Sequence, residues 1–178
     1  MNSICRLSNW NLECEKAINK QISLEYWASL QYHVMASYFD KDNVALDNIS
    51  KYYSKSSLEE REHADKFIKY QNKRGGNVII NDIIIDNNFI NTNSNKSDIL
   101  QSFEKALEME QKVYKSLLDL HKISEEANDP QFSDFIETNY LEEQIDSIND
   151  IAKYIAQLKR IGNYGHGIWN FNNEFRLN

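Results

Sequence analysis

Acidic and histidine side chains recur at helical spacing in the segment EEREHA, residues 59–64. Glu60 and His63 are three residues apart, so on a helix their side chains share one face. A carboxylate and an imidazole together suit a borderline first-row metal such as iron. Alone the pair is a weak signal, because most such pairs in a chain with 27 acidic residues belong to a solvated helix surface.

Two further acids lie in apolar surroundings. Glu25 lies between a leucine and two aromatic residues, and Glu110 follows a methionine. Such acids are expected to face inward, where an unpaired carboxylate is energetically costly. Several buried acids and a histidine would repel one another unless a cation neutralises them. The pattern therefore favours a metal site, and the alternative is that all of these side chains point into solvent.

Helices must position these residues. One proline, five glycines and 41% apolar residues are typical of long amphipathic helices. Periodicity and end signals predict four of them, at about residues 11–39, 44–74, 95 to beyond 121, and 128–161. Asn43 is the expected N-cap of the second helix, and Asp129 that of the fourth, with Pro130 in its first turn. A short amphipathic helix is predicted at about residues 165–176.

The connections predict the topology. Short links after the first and third helices make each pair antiparallel. About twenty residues, 75–94, join the second helix to the third. They can extend to roughly 65 Å, which exceeds the roughly 42 Å length of a 28-residue helix. One long crossover therefore makes the second and third helices parallel. Its apolar residues 78–80 and 83–85 are expected to be buried on the bundle or at a subunit interface.

Composition limits the function classes. A formal net charge of −7 argues against nucleic-acid binding, which needs clustered lysine and arginine. Cys5 and Cys14 show no disulfide framework, which favours a reducing compartment. Residues 1–15 lack the apolar core of a signal peptide, and no later run is long enough to span a bilayer. The expectation is one domain over residues 1–178, cytoplasmic, without membrane contact.

Several longer motifs resemble the ferritin family. They are NKQISLE (19–25), Tyr32, DKDNVAL (40–46), EEREHA (59–64), QNKRGG (71–76), LLDLHK (117–122), NDP (128–130) and DFIETNYLEEQ (134–144). They cover all four predicted helices and their turns, in order. The resemblance implies an all-α, ferritin-like four-helix bundle with one long crossover between helices two and three, and a short fifth helix.

The same resemblance, to catalytic heavy-chain-type ferritins, implies a role for each matching residue. Glu25 and His63 would hold a first iron, Glu60 would bridge, and Glu110 would hold a second iron. Gln144 and Glu59 would lie nearby, and Tyr32 would hydrogen-bond within the centre.

The implied reaction is oxidation of Fe(II) by O2. Two irons would occupy each centre. Generic di-iron bundles carry a second Glu-x-x-His on the fourth helix, but this chain has Glu143, Gln144 and Ser147 there. A neutral amide should weaken the second site, so iron is expected to be a substrate in transit. The resemblance implies that the iron is then stored inside a homo- or hetero-oligomeric cage of twenty-four subunits.

Further acidic residues fit iron storage. Glu59, Glu62 and Asp65 recur at i, i+3 and i+6 and could nucleate ferric mineral, although an ordinary solvated face explains them equally well. Asp134 and Glu137 match the positions that line three-fold channels in ferritins, or they simply complement a helix dipole. His121 is a candidate for the same route, although a lone histidine is more often structural.

The C-terminal tail resembles the family only loosely. If it is helical, His166, Asn170 and Glu174 share one face, which in ferritins lines the four-fold channel. A polar channel that binds or passes cations is one hypothesis, and a poorly ordered tail is the other.

Three alternatives compete with a catalytic ferritin. A light-type subunit would nucleate mineral without oxidase activity, but such subunits lose centre residues that are present here. A different di-iron enzyme, such as an oxygenase, is disfavoured by the missing second Glu-x-x-His. A non-enzymatic helical interaction module is compatible with the composition alone.

Overall fold

The computed structural model describes residues 3–175, where all regular elements are helical. The helices are α1 (Leu12–Phe39), α2 (Asp47–Lys73), α3 (Asp98–Glu126), α4 (Pro130–Ile136), α5 (Glu142–Ile161) and α6 (Gly165–Glu174). A π-helical turn, Glu137–Leu141, joins α4 to α5 into one long fourth helix. The four-helix bundle with a short C-terminal helix is thus confirmed. Residue 176, the predicted end of α6, lies outside the described residues.

Side-chain caps begin two of the long helices where the sequence predicts a start. The Asn11 side chain accepts a hydrogen bond from the backbone N–H of Cys14, 2.9 Å away. Asp129 caps α4 by accepting from the N–H of Phe132 at 3.1 Å, with proline at the first helical position. Each cap satisfies a backbone donor that the first helical turn leaves unpaired.

A glycine pair ends α2. Gly75 adopts a φ of +75°, a left-handed conformation that glycine takes without steric cost. The N–H groups of Gly75 and Gly76 then donate to the carbonyl oxygens of Asn72 and Gln71, at 3.1 and 3.0 Å. These two hydrogen bonds end the helix, and the chain then turns into the crossover.

The predicted start of α2 is wrong. Asn43 does not cap it: the chain first makes a tight turn in which Ala45 has a φ of 52°. The helix begins at Asp47, and Leu46 at its N-cap makes no side-chain hydrogen bond. Local sequence signals pointed to the nearest asparagine because they carry no information about a partner that is distant in the chain.

That distant partner is Asn172 of α6. Its Oδ1 accepts hydrogen bonds from the backbone N–H groups of Asn48 and Ile49, at 3.1 and 3.3 Å. The Asn48 side chain donates in return to the Asn172 carbonyl oxygen at 2.9 Å. The C-terminal helix therefore caps α2 and is held against the bundle by the same bonds.

Contacts between α2 and α3 confirm the crossover topology. Tyr53 donates a hydrogen bond to Ser102 at 2.8 Å, and further along both helices Glu60 interacts with Glu110. Residue numbers increase in the same direction on both helices, so they are parallel. The crossover that links them follows α1, where Ser23 Oγ accepts from a crossover N–H at 3.0 Å.

The apolar crossover residues lie in two environments. Val78, Ile83 and Ile85 are half-buried on the bundle, whereas Ile79, Ile80 and Ile84 are exposed, Ile84 by 85%. Residues 83–85 alternate, as expected of an extended segment, whose side chains point to opposite sides, whereas Ile79 and Ile80 are both exposed. The predicted burial on the bundle therefore holds for half of these apolar residues within one chain.

Candidate metal centre

A carboxylate–histidine cluster lies in the middle of the bundle. α1 contributes Glu25, and α2 contributes Glu60 and His63, three residues apart on one face. One ligand atom from each residue lies within 4.8 Å of the others, and all three side chains are buried. Among residues 3–175 this is the one group of such side chains arranged to hold a metal ion.

α3 and the fourth helix complete the site. Glu110 of α3 interacts with the Glu60 carboxyl group, so Glu60 lies between Glu25 and Glu110. The Tyr32 hydroxyl donates a hydrogen bond to Glu110 Oε1, and the Gln144 amide donates to Glu110 Oε2. The Gln144 amide also donates to the Glu110 carbonyl oxygen at 3.1 Å. The structure thus brings together the residues that the sequence predicts for this centre.

The cluster carries more buried acid than its protein surroundings neutralise. Burial raises the pKa of Glu25 well above its usual range, and the nearby Glu60 charge raises it further. Glu25 Oε2 is buried without a hydrogen-bond donor from a described residue, and the Glu25 carboxyl group lies within hydrogen-bonding reach only of the like-charged Glu60 carboxyl group besides Gln21. An unpaired carboxylate oxygen in a dry interior is costly, and a bound cation would satisfy it.

The pKa values of the other two buried acids, Glu60 and Glu110, are also raised. Burial raises the pKa of Glu60 well above its usual range, and the Glu110 charge adds to this. Burial also raises the pKa of Glu110, although hydrogen bonds from Tyr32 and Gln144 oppose the shift. The metal-free centre therefore favours retained protons, which a divalent metal would displace on binding.

Sequence reasoning missed the direct role of Glu143. His63 lies between two carboxylates: Nδ1 is 3.2 Å from Glu60 Oε2, and Nε2 is 3.2 Å from Glu143 Oε1. Burial lowers the pKa of His63, but the hydrogen bond with Glu143 and the Glu25 charge outweigh it and raise the pKa overall. The signal in the sequence is the position of Glu143 directly before Gln144.

The centre encloses a small cavity of about 60 Å³. Its wall includes Glu59, Glu143, Ser56 and Ser147 as well as Glu60, His63, Glu110 and Gln144. Glu143 and Glu59 are both exposed on their outer sides. Oxygen donors therefore continue from the buried cluster to the surface, on the side where α2 faces the fourth helix.

The π-helical turn, which no sequence signal predicted, lies just before this wall. Tyr140 within it stacks on Phe67 with ring centroids 4.1 Å apart, and its hydroxyl donates to the His63 carbonyl oxygen at 3.2 Å. A π turn inserts one residue into the α-helical register, which rotates everything after it, and such turns are frequent at functional sites. Here it sets the direction in which Gln144 points.

The predicted nucleation residues lie outside the buried cluster. Glu59 and Glu62 are exposed, and Asp65 is half-buried and accepts a hydrogen bond from Tyr26 at 3.1 Å. Lys55 lies 3.6 Å from Glu59. Within one chain these residues form a surface stripe, not a closed site.

The predicted channel residues are also at the surface. Asp134 and Glu137 are exposed on the fourth helix, and His121 Nε2 lies 2.6 Å from Glu137 Oε1. In α6, the Asn170 side chain lies 3.4 Å from His166 Nε2, which places the two on one face, with Glu174 exposed one turn further on. Residues 165–174 of the tail are therefore helical, and their polar face is present.

Fold and site together define a class: a one-crossover, four-helix bundle with a buried carboxylate–histidine centre. The chain matches the Ferritin family, described as a ferritin-like domain, over residues 15–161. It belongs to the ferritin family.

Curated relatives are similar over most of the chain. "Ferritin, chloroplastic" of Malus baccata var. xiaojinensis is 48% identical over 164 residues, which are 92% of this chain and 64% of that protein. "Ferritin-2, chloroplastic" of Zea mays is 48% identical over 159 residues, 89% of this chain and 63% of that protein. The chain thus spans less than two thirds of the length of these relatives.

The expected cytoplasmic location is contradicted by these relatives, which are named chloroplastic. The sequence argument failed for a physical reason. A missing apolar run counts against a secretory signal, but plastid-directing segments are rich in serine and arginine and need no such run.

Proposed function

We propose that this chain is a catalytic, heavy-chain-type ferritin subunit that oxidises Fe(II) with O2 and stores the Fe(III) as mineral. The observation that carries the proposal is the convergence of three buried carboxyl groups in the centre. Glu25, Glu60 and Glu110 meet without a neutralising lysine or arginine among their described contacts, and Glu25 Oε2 accepts no hydrogen bond. Two divalent cations would displace the retained protons, neutralise the carboxylates and supply the missing contact.

Each residue of the centre has a part in the proposed reaction. Glu25 and His63 hold the first Fe(II), Glu60 bridges the two ions, and Glu110 holds the second. Each Fe(II) gives one electron to O2, so a pair supplies the two electrons that convert O2 and two protons to hydrogen peroxide. Tyr32 orients Glu110 through its hydrogen bond.

Gln144 explains why iron would leave. In the structure its amide nitrogen donates to Glu110, so it steers a ligand instead of adding a second charged one. A site with one fewer anionic ligand holds Fe(III) less tightly. The iron is then a substrate in transit, and the partly exposed Glu143 and Glu59 mark the side on which it can pass.

Storage follows from the remaining acidic surfaces. We propose that Glu59, Glu62 and Asp65 nucleate mineral and that Asp134 and Glu137, with His121, guide Fe(II) through three-fold channels. His166, Asn170 and Glu174 would line a polar four-fold channel. These roles require an assembled cage, which we propose contains twenty-four ferritin subunits, of one or more kinds. The names of the relatives favour a plastid as its location.

The test is the rate of Fe(II) oxidation in air, followed by stopped-flow absorbance. Glu25→Ala and His63→Ala should slow the fast phase by at least about tenfold, since each removes a ligand. The matched control is Glu108→Ala, an exposed acid on α3 that pairs with Lys105 outside the centre and should leave the fast phase unchanged. Equal rates in wild type and both centre variants would contradict the proposal.

A further inference from the structure

Glu25 has two carboxylate oxygens in different surroundings. Oε1 accepts a hydrogen bond from the side-chain amide of Gln21, 2.7 Å away, while Oε2 has no partner. Gln21 lies one turn earlier on α1 and is only 1% exposed. The protein thus binds one oxygen of the acid and leaves the other open.

A second hydrogen bond holds the other end of the Gln21 amide. Ser116 of α3 donates a hydrogen bond from its hydroxyl to Gln21 Oε1 at 2.6 Å. In its ionised, metal-binding form the Glu25 carboxylate only accepts, so the amide presents its N–H to Glu25 and its oxygen to Ser116. A flipped amide would place an oxygen against the carboxylate and lose that hydrogen bond.

We propose that Gln21 is a positioning residue for iron binding, and that Ser116 holds it in the working orientation. The inference rests on the proposed function. Gln21 binds Oε1, which fixes the carboxyl plane and leaves Oε2 as the single oxygen through which Glu25 binds Fe(II). Outer partners of this kind orient metal ligands and tune metal affinity.

A neutral donor suits this place better than a charged one. A lysine or arginine at position 21 would pair with Glu25 and compete with the metal. A second acid would add to the repulsion among buried carboxylates that already raises the pKa values of Glu25 and Glu60. The amide orients the ligand and leaves its charge for the metal.

Gln31 provides a matched comparison on the same helix. It is also a buried glutamine, but its amide donates to the Asp86 carbonyl oxygen at 2.8 Å and accepts from the Asp86 N–H at 2.9 Å. Those bonds attach the crossover to α1 and touch no ligand of the centre. Gln31→Leu therefore removes a buried amide of equal size without affecting Glu25.

The experiment compares wild type, Gln21→Leu, Ser116→Ala and Gln31→Leu. Co(II) binding is titrated without oxygen, by calorimetry and by the visible absorption of the bound ion, and Fe(II) oxidation is measured over a range of Fe(II) concentrations. Gln21→Leu should weaken Co(II) binding and raise the KM for Fe(II) about tenfold, with kcat nearly unchanged. Ser116→Ala should change the Co(II) affinity and the KM for Fe(II) in the same direction but by less. Gln31→Leu should match wild type in both quantities.

The positioning role is overturned if Gln21→Leu and Gln31→Leu give the same Co(II) affinity and the same KM. If Gln21→Leu does not fold, Ser116→Ala decides, because Ser116 is only half-buried: a wild-type affinity and KM in that variant would overturn the role. Glu25→Ala separates the two proposals. If Glu25→Ala binds Co(II) as wild type does, the proposed metal centre is wrong. If Glu25→Ala loses Co(II) binding while Gln21→Leu binds Co(II) as wild type does, only the positioning role is rejected.

Discussion

At the residue scale, Glu60 shows how a functional site costs stability. Burial and the Glu110 charge raise its pKa in the folded protein. A raised pKa means that the folded state binds the proton more tightly than the unfolded state. The contribution to stability is therefore fully present below the unfolded pKa of about 4.3, and it is lost as pH rises through the folded value. The pKa values of Glu25 and Glu110 are also raised, so their contributions to stability are lost in the same direction, as pH rises.

Glu60→Gln should accordingly stabilise the metal-free protein at neutral pH. We expect the free energy of unfolding in the presence of a chelator to rise by about 1–3 kcal/mol at pH 7.5 and by much less at pH 5. Urea unfolding at both pH values measures this. The control is Glu62→Gln, exposed on the same helix, which should change neither value. A less stable Glu60→Gln protein at pH 7.5 would refute the explanation.

At the element scale, the start of α2 depends on a residue more than 120 positions away. Asn172 supplies the acceptor that Leu46 lacks, and Phe171 of α6 and Phe175 directly after it join the core. Tyr52 of α2 packs against Phe175 with ring centroids 5.2 Å apart. Polar capping and aromatic packing together therefore join the C-terminal helix to the bundle.

Asn172→Ala removes that cap and should cost about 1 kcal/mol of stability, the usual effect of losing an N-cap side chain. It should also increase amide hydrogen exchange at Asn48 and Ile49, because their N–H groups lose their acceptor. Hydrogen-exchange mass spectrometry and thermal unfolding measure the two effects. Asn173→Ala, at the exposed neighbouring position, is the control. Unchanged exchange at the start of α2 would show that Asn172 is not its cap.

The π-helical turn is the other feature that belongs to the element scale. The sequence of the fourth helix is compatible with an uninterrupted α-helix, and neither glycine nor proline marks the turn. It forms where Tyr140 packs between Phe67 and the His63 backbone. Packing against another helix decides the register in which Gln144 enters the centre.

At the scale of the whole molecule, the exposed isoleucines of the crossover favour assembly. Ile79, Ile80 and Ile84 lie together on one extended segment, exposed by 58, 51 and 85%. Large apolar side chains exposed close together in one short segment are typical of a subunit interface. In the proposed cage these side chains would be buried against a neighbouring subunit.

Ile84→Glu should therefore weaken assembly without unfolding the subunit. In size-exclusion chromatography with light scattering, we expect a shift from the proposed large cage towards smaller species at low protein concentration. Asn87→Glu places the same charge at an exposed polar position of the crossover and should leave the assembly unchanged. An Ile84→Glu protein that assembles as wild type does would exclude this segment from the interface.

The sequence by itself determined the helices, their topology and most of the centre. Helical periodicity and short connections are local, and the crossover length alone decided between parallel and antiparallel packing. Glu25 and Glu110 could be predicted because an acid in an apolar stretch needs a partner, and Glu60 and His63 because their spacing places them on one helix face. Motif resemblance added Tyr32 and Gln144, which spacing alone could not connect.

Only the tertiary structure decided how these residues work together. The contacts of Gln21 with Glu25 and Ser116, of His63 with Glu143, and of Asn172 with α2 join atoms from turns or helices that the sequence does not pair. The hydrogen bond of a polar side chain depends on which acceptor lies within about 3 Å, and that distance is set by packing of the whole bundle. Periodicity shows which face is buried, but not which atom a buried amide meets.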